Sequence, residues 1–410
     1  MIQPGNTSTV PGGAGNLTNH TNQFVQPAWR LALWAAAYSL VLLVSLSGNL
    51  IVLWIILAHG RMRTVTNYFL FNLALADTSM AAFNTLVNFV YAAHGDWYFG
   101  LAYCKFHNFL PVTAVFASIY SMMAIAVDRY IAIIYPLKPR LSATVTRAVI
   151  GCIWSMAVVL AFPLCYYSTT KRIGQRTLCY VFWPHSAQDA FIYHIIVAVL
   201  VYMLPLVVMT VTYSLVGRTL WGGEIPGDYN DNYHLQIQAK RKVVKMMIMV
   251  VVTFAVCWLP YHLYFLVTGL NRQLQRVKAI QQVYLSVLWL AMSSTMYNPI
   301  IYCCLNNRFR AGFKRALRCC PFIHLTEYDQ MELGSIGFHA NRKSSSVYTL
   351  TRLESGSTDE RNFRGRRSQG GRHGSMIYNG LGRHGTQHTY LSQASYHSNP
   401  RGSVTAIQLT

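Results

Sequence analysis

The sequence predicts an all-α membrane protein: a seven-transmembrane helix bundle followed by a cytoplasmic amphipathic eighth helix. Three observations predict it. Hydrophobic residues make up 53% of the 410 and charged residues only 11%, whereas a soluble domain carries roughly 25% charged residues. The apolar residues fall in seven blocks, 31–57, 68–92, 106–127, 148–167, 190–216, 246–269 and 279–305. Each is long enough to cross a bilayer as a helix, and seven in series exclude a soluble core. Basic residues gather at block ends: Arg61 and Arg63, Lys138, Arg140 and Arg147, Lys240, Arg241, Lys242 and Lys245, then Arg308, Arg310, Lys314, Arg315 and Arg318. The positive-inside rule puts these on the cytoplasmic side. The formal net charge of +21 therefore reads as membrane orientation, and no nucleic-acid partner is expected.

Residues 1–29 are polar and read as an extracellular glycosylated tail. Asn6, Asn16 and Asn19 each open an N-x-Ser/Thr sequon, the acceptor pattern of lumenal segments. No apolar h-region precedes residue 30, so block one is expected to act as an uncleaved signal anchor. Residues 30–305 are the bundle. Block one carries Gly48-Asn49. Block two carries Asp77, a carboxylate deep in a bilayer, which marks either a functional site or a neutral acid satisfied by a neighbour. Block three runs from Cys104 to Asp128-Arg129-Tyr130, about 37 Å along a helix, so one helix carries a cysteine to one face and an ion pair to the other. Cys179 follows block four on the outer side, where an oxidising compartment allows it to pair with Cys104.

Block five contains Pro205 and Tyr213, block six Cys257-Trp258-Leu259-Pro260, and block seven Asn298-Pro299-Ile300-Ile301-Tyr302. A proline inside a helix removes one backbone bond and creates a hinge. In residues 306–320, Phe309, Phe313 and Leu317 recur among Arg and Lys, the pattern of a helix lying along a membrane surface. Cys319 and Cys320 follow it and suit S-palmitoylation. Residues 321–410 turn to Ser, Thr, Gly, Arg and His and are expected to be a disordered cytoplasmic tail, a solvated linker or a phosphorylatable docking segment.

Seven spans with Gly48-Asn49, Asp77, Asp128-Arg129-Tyr130, Trp154, Pro205, Cys257-Trp-Leu-Pro260 and Asn298-Pro299-x-x-Tyr302 resemble the rhodopsin-like G-protein-coupled receptors over about residues 30–320. Pro111 stands where amine receptors have an aspartate, and Met292 where opsins have a Schiff-base lysine. Longer strings, among them Trp97-Tyr98-Phe99-Gly100, Lys240-Arg-Lys-Val-Val-Lys-Met-Met247 and Ala291-Met-Ser-Ser-Thr-Met-Tyr-Asn298, look like the tachykinin (neurokinin) receptors. Asp77 and Gly222-Gly223 look more like the neurokinin-B-preferring subtype.

The resemblance implies a multi-pass plasma-membrane receptor, not an enzyme, with its N-terminus outside. It implies an amidated tachykinin peptide as ligand, neurokinin B first and substance P and neurokinin A also. Its partners would be a heterotrimeric G protein of the Gq/11 class leading to phospholipase C and calcium release, arrestin and receptor kinases at the tail, and membrane lipids. By resemblance the peptide end is held by Asn84, Asn88, Tyr91, His107, Asn108, His194, Tyr261, His262 and Tyr284. The plain alternatives are helix–helix hydrogen bonds for the asparagines and a satisfied core position for His194. Leu164 replaces a glutamine common in the family. The outer Lys171, Arg172 and Arg176 attract an acidic peptide half or form an ordinary solvated loop.

The activation switch by resemblance comprises Asp128, Arg129, Tyr130, Tyr213, Trp258, Asn298, Pro299 and Tyr302. Lys240 stands where many relatives carry an acid that restrains Arg129, so that restraint is absent. No cofactor is expected beyond an allosteric sodium ion in a pocket of Asp77, Asn49, Ser118, Ser294 and Asn298. An enzyme is disfavoured because no nucleophile–base pair lies in the spans. A transporter is disfavoured because no internal repeat appears.

Overall fold

A computed structural model describes residues 27–184, 187–222, 231–271, 273–274 and 279–334. The sequons at Asn6, Asn16 and Asn19 and the tail beyond residue 334 lie outside the described residues. The chain divides into units 1–345 and 346–410, and every described residue belongs to the first.

Seven long helices follow one another: α1 (Ala28–Ala58), α2 (Val65–His94), α3 (Gly100–Ile134), α4 (Ala143–Tyr167), α5 (Gln188–Gly222), α6 (Asp231–Leu270) and α7 (Ile280–Leu305). An antiparallel hairpin of β1 (Ser168–Ile173) and β2 (Arg176–Val181) joins α4 to α5. Two short helices close the described chain, α8 (Asn307–Ala316) and α9 (Glu327–Leu333). Side chains cap some starts: Thr64 accepts from the Asn67 N–H, Ser142 from Val145 and Asn306 from Arg308, each satisfying a donor that the first helical turn leaves open.

The first six helices are both long and apolar enough to span a bilayer. α7, with 26 residues and about 39 Å, is also long enough to cross but more polar. Its polar side chains face the bundle: Ser293, Ser294, Thr295 and Asn298 are buried, so they meet other helices rather than lipid. The reverse holds for Leu43, Leu50, Leu57, Val159 and Val256, which are large, apolar and exposed, as a lipid-facing surface requires.

α3 is the central post, packed against α2, α4 and α5, with Ala114, Ala117, Ile119, Ile125 and Ala126 fully enclosed. Small residues allow close approach elsewhere. A Cβ on Gly48 of α1 would stand 2.6 Å from Pro299 Cγ of α7. Two features were not expected from the pattern: π-helical turns at Ala81–Thr85 in α2 and at Ala198–Met203 in α5. Each inserts a residue into the helical ladder and rotates the faces on either side.

The tail expected to be disordered from residue 321 differs at its start. Thr326 and Asp329 form a reciprocal cap that opens α9, and the helix docks on α8 through Lys314–Asp329 at 2.8 Å and Arg308–Glu332 at 3.4 Å. A cap and two ion pairs supply the order that its composition alone does not. α8 also ends at Ala316, so Leu317 lies beyond it and is exposed.

Candidate functional site

The Cys104 end of the bundle is built around a disulfide. Cys104 of α3 and Cys179 of β2 are joined, which lays the hairpin across the helix ends. Beneath it the π-turn of α2 carries Asn84, wholly buried. The Asn84 Nδ2 donates to the His107 carbonyl at 3.2 Å and lies 3.3 Å from His107 Nδ1. Asn88 Nδ2 in turn donates to Asn84 Oδ1. Asn88 and His107 are also buried, so three of the expected residues form one continuous chain of amides and imidazole.

Tyr91 sits a turn higher. Its hydroxyl donates to the Cys179 carbonyl at 3.1 Å and accepts from the Cys179 N–H at 3.2 Å. Asn108 turns the other way and donates to Ser168 Oγ at 2.8 Å, so it braces the hairpin. Trp97 lies over the cluster, its ring 5.2 Å from Tyr91 and 5.1 Å from His107. The basic residues of the hairpin differ: Lys171 and Arg172 are exposed, while Arg176 is half-buried.

A second wall comes from α5, α6 and α7. The His194 ring stacks on Phe265 at 4.3 Å, and Phe265 lies 4.8 Å from Tyr261. His262 packs against Tyr202 at 5.0 Å, and its buried Nε2 has no hydrogen-bond partner. Tyr284 meets Tyr264 at 5.7 Å. All nine expected ligand residues therefore lie in two groups, amide-rich on α2 and α3 and aromatic on α5 to α7.

Below the aromatic wall, Trp258 packs on Phe254 at 5.9 Å and donates from Nε1 to Ser294 Oγ at 3.0 Å. Ser294 borders a void of about 10 Å³ that Asp77, Ser118, Trp258 and Asn298 also line. Asp77 Oδ1 accepts from Ser118 at 3.0 Å and Oδ2 from Asn298 at 2.7 Å. Asn49 makes no direct hydrogen bond to Asp77, and its buried Oδ1 is unpartnered. It donates to the carbonyls of Ser45 and Thr295 instead, tying α1 to α7. The donor set that remains, a carboxylate with two hydroxyls and an amide, is all oxygen on the acceptor side, as a hard cation needs. Among the described residues no group of three or more His, Cys, Asp or Glu could hold a metal ion.

At the other end of α3 the Asp128 Oδ2 accepts from Arg129 Nη2 at 2.8 Å and from Thr66 Oγ1 at 2.8 Å, and Arg129 also contacts Thr66. Tyr213 and Tyr302 are buried nearby in the bundle, and Tyr302 packs at a tilt against Phe309 of α8 at 5.5 Å, its hydroxyl unpartnered. Tyr130 stands apart, against Tyr135 at 6.0 Å. Sequence reasoning missed Thr66 and Phe265. Phe265 follows Tyr261 by one helical turn, a signal that was present; nothing in the sequence marked Thr66.

The sequence matches the 7 transmembrane receptor (rhodopsin family) over residues 48–302, the span that contains both ends of this chain of contacts. The chain belongs to that family. It is 65% identical to the neuromedin-K receptor of Homo sapiens over 365 residues, 87% of this chain and 78% of that one. It is 61% identical to the neuromedin-K receptor of Oryctolagus cuniculus over 406 residues, 98% and 86%. The substance-P receptor of Homo sapiens is 60% identical over 339 residues, 82% and 83%. These relatives are the tachykinin receptors, and the resemblance to them runs through the bundle. They are receptors and not enzymes, and the rhodopsin-family protein described here is a multi-pass membrane receptor like them.

Proposed function

We propose that this rhodopsin-family receptor responds to amidated tachykinin peptides, neurokinin B above substance P and neurokinin A. The observation that carries the reading is the Asn88–Asn84–His107 chain at the Cys104 end, together with an aromatic group on α5 to α7 that includes the unpartnered His262 Nε2. A peptide ending in a carboxamide presents a donor and an acceptor, which asparagine amides match one for one. A free carboxylate would bring a charge into the same dry cluster, at a cost that a neutral amide avoids. The asparagines are satisfied by each other in this structure, so the peptide end exchanges bonds with them.

In the proposed signal path, the bound peptide rearranges Tyr261 and His262 and shifts Trp258 against Phe254. Trp258 holds Ser294, and Ser294 borders the Asp77 void, so the movement reaches Asn298 and the Pro299 hinge. At the far end Arg129 leaves Asp128 and Thr66 and turns to a partner helix, with Tyr213 and Tyr302 supporting the open arrangement. The peptide produces this change only to the extent that it binds the open state more tightly. We assign the Arg129 end to the cytoplasm, the Cys104 end and N-terminus to the exterior and the receptor to the plasma membrane. The transducer is a G protein of the Gq/11 class acting through phospholipase C and calcium. Arrestin and receptor kinases act on the tail, sequons at Asn6, Asn16 and Asn19 carry glycans, and the exposed Cys319 and Cys320 carry palmitate in contact with membrane lipids.

Asp77, Ser118, Ser294 and Asn298 would hold a sodium ion. When bound it supplies positive charge beside Asp77 and favours the resting arrangement. Exchange of sodium for N-methylglucamine at equal ionic strength then raises peptide affinity, and Asp77→Asn abolishes the difference.

The direct test of the function is intracellular calcium in cells expressing the chain. Neurokinin B amide is expected to raise it at lower concentration than either neurokinin A or substance P, and the free acid of neurokinin B to fail. Surface expression with no response to any of the amides contradicts the ligand or the coupling, and labelled peptide binding separates the two.

A further inference from the structure

Lys240 is exposed on α6 and, by the resemblance, stands where many relatives carry an acid that pairs with Arg129. Two positive charges cannot hold α3 and α6 together, so the resting position of α6 needs another restraint. Three contacts describe one. Arg241 of α6 donates from Nε and Nη2 to the Leu220 carbonyl of α5, at 2.9 and 2.5 Å, and its guanidinium lies 5.6 Å from the Trp221 ring. The ends of α5 and α6 are thereby joined. Lys242, the next residue on α6, reaches the opposite way. Its Nζ donates to Asn307 Oδ1, the first residue of α8, at 3.1 Å.

α8 is a fixed partner. Phe309 is wholly buried against Tyr302, and Gly312 lies so close to α1 that a Cβ there would meet Ile55 at 2.6 Å. α9 grips it from outside through Lys314–Asp329 and Arg308–Glu332. Arg310 Nη2 donates to the same Asn307 Oδ1 at 2.5 Å and orients the acceptor. The Lys242–Asn307 bond therefore joins a pair of helices that can move together to an element anchored on three sides.

We propose that Lys242 and Asn307 are positioning residues that restrain α6 against α8 in the resting receptor, in place of the absent acid–arginine pair. An outward displacement of α6 by more than a hydrogen-bond length breaks this contact while the Arg241–Leu220 tie carries α5 along. The inference rests on the proposed reading of the chain as a receptor that opens at its Arg129 end, which α6 lines, but not on its ligand or transducer.

The test uses the full chain in lipid nanodiscs without G protein. Spin labels on Gln238→Cys of α6 and Arg147→Cys of α4, in a background with the reactive cysteines replaced, report the open-to-closed ratio. Lys242→Ala and Asn307→Ala are each expected to raise it about two- to fivefold, the range for an exposed charged contact. The double variant rises no further than either single, because both remove one bond. Asn307→Asp lowers the ratio by turning the bond into an ion pair. Unchanged ratios in both single variants, or additive effects in the double, overturn the proposal. Added neurokinin B separates the two readings. A peptide that opens the wild type while the variants leave the apo ratio unmoved sinks the restraint alone. Variants that shift the apo ratio in a receptor indifferent to peptide sink the ligand alone.

Discussion

Asn84 occupies a π-turn where the extra residue turns its amide toward α3 rather than lipid. It bonds on both sides, so its removal leaves His107 and Asn88 each short of a partner in a dry environment, at about 1–3 kcal/mol. Asn84→Ala is expected to lower neurokinin B affinity by roughly 5- to 150-fold, with surface expression retained, as measured by saturation binding. The pairing of Asn84 with Asn88 was legible from their four-residue spacing. The π-turn was not, since it depends on how α2 packs. Thr66 was equally illegible, because what defines its role is a contact with Asp128 across 62 positions of sequence.

Helices carry their own constraints, and two glycines mark them. A Cβ on Gly48 meets the ring of Pro299, and one on Gly312 meets Cδ1, Cγ1 and Cγ2 of the fully buried Ile55, a β-branched side chain that is stiff at χ1. Gly48→Ala and Gly312→Ala are therefore each expected to destabilise the purified receptor by about 1–3 kcal/mol, the usual cost of overpacking. Thermal unfolding of the two variants checks both. At α9, burial raises the Asp329 carboxyl, but hydrogen bonds from Lys314 and Thr326 outweigh it and hold it below the ordinary carboxylate range. The group's contribution to docking is thus complete above its unfolded value of ~3.9 and is lost as pH falls through the lower folded value. Amide exchange in α9, corrected for intrinsic rate, should be the same at about pH 7 and about pH 5. Thr326→Ala, which removes a cap worth about 1 kcal/mol, should speed it about fivefold at either pH. The spans were legible because hydropathy at that length has one reading. α9 was not, because its order comes from α8 and a reciprocal cap rather than from apolar periodicity. α7 needed the bundle to explain why so polar a segment is buried.

The described bundle carries a column of contacts with the disulfide at one end and Arg129 at the other. Both ends were visible in the sequence as Cys104 and Asp128-Arg129 on one helix. The route between them, from His262 through Trp258 and Ser294 to Asp77, was visible only as separate motif residues, because it joins three helices. The hairpin is tied at the top by one disulfide, by Tyr91 and by Asn108. Cys104→Ser is expected to abolish peptide binding while far-ultraviolet circular dichroism keeps the helical signal, since the seven spans do not depend on the hairpin. In the proposed reading a peptide carboxamide enters the Asn84 cluster. This is tested by the affinity of neurokinin B amide and of its free acid on the wild type and on Asn84→Ala. A strong preference for the amide is expected on the wild type and a much reduced preference on the variant. An amide preference of the same size on both proteins would place the peptide end elsewhere and contradict that reading.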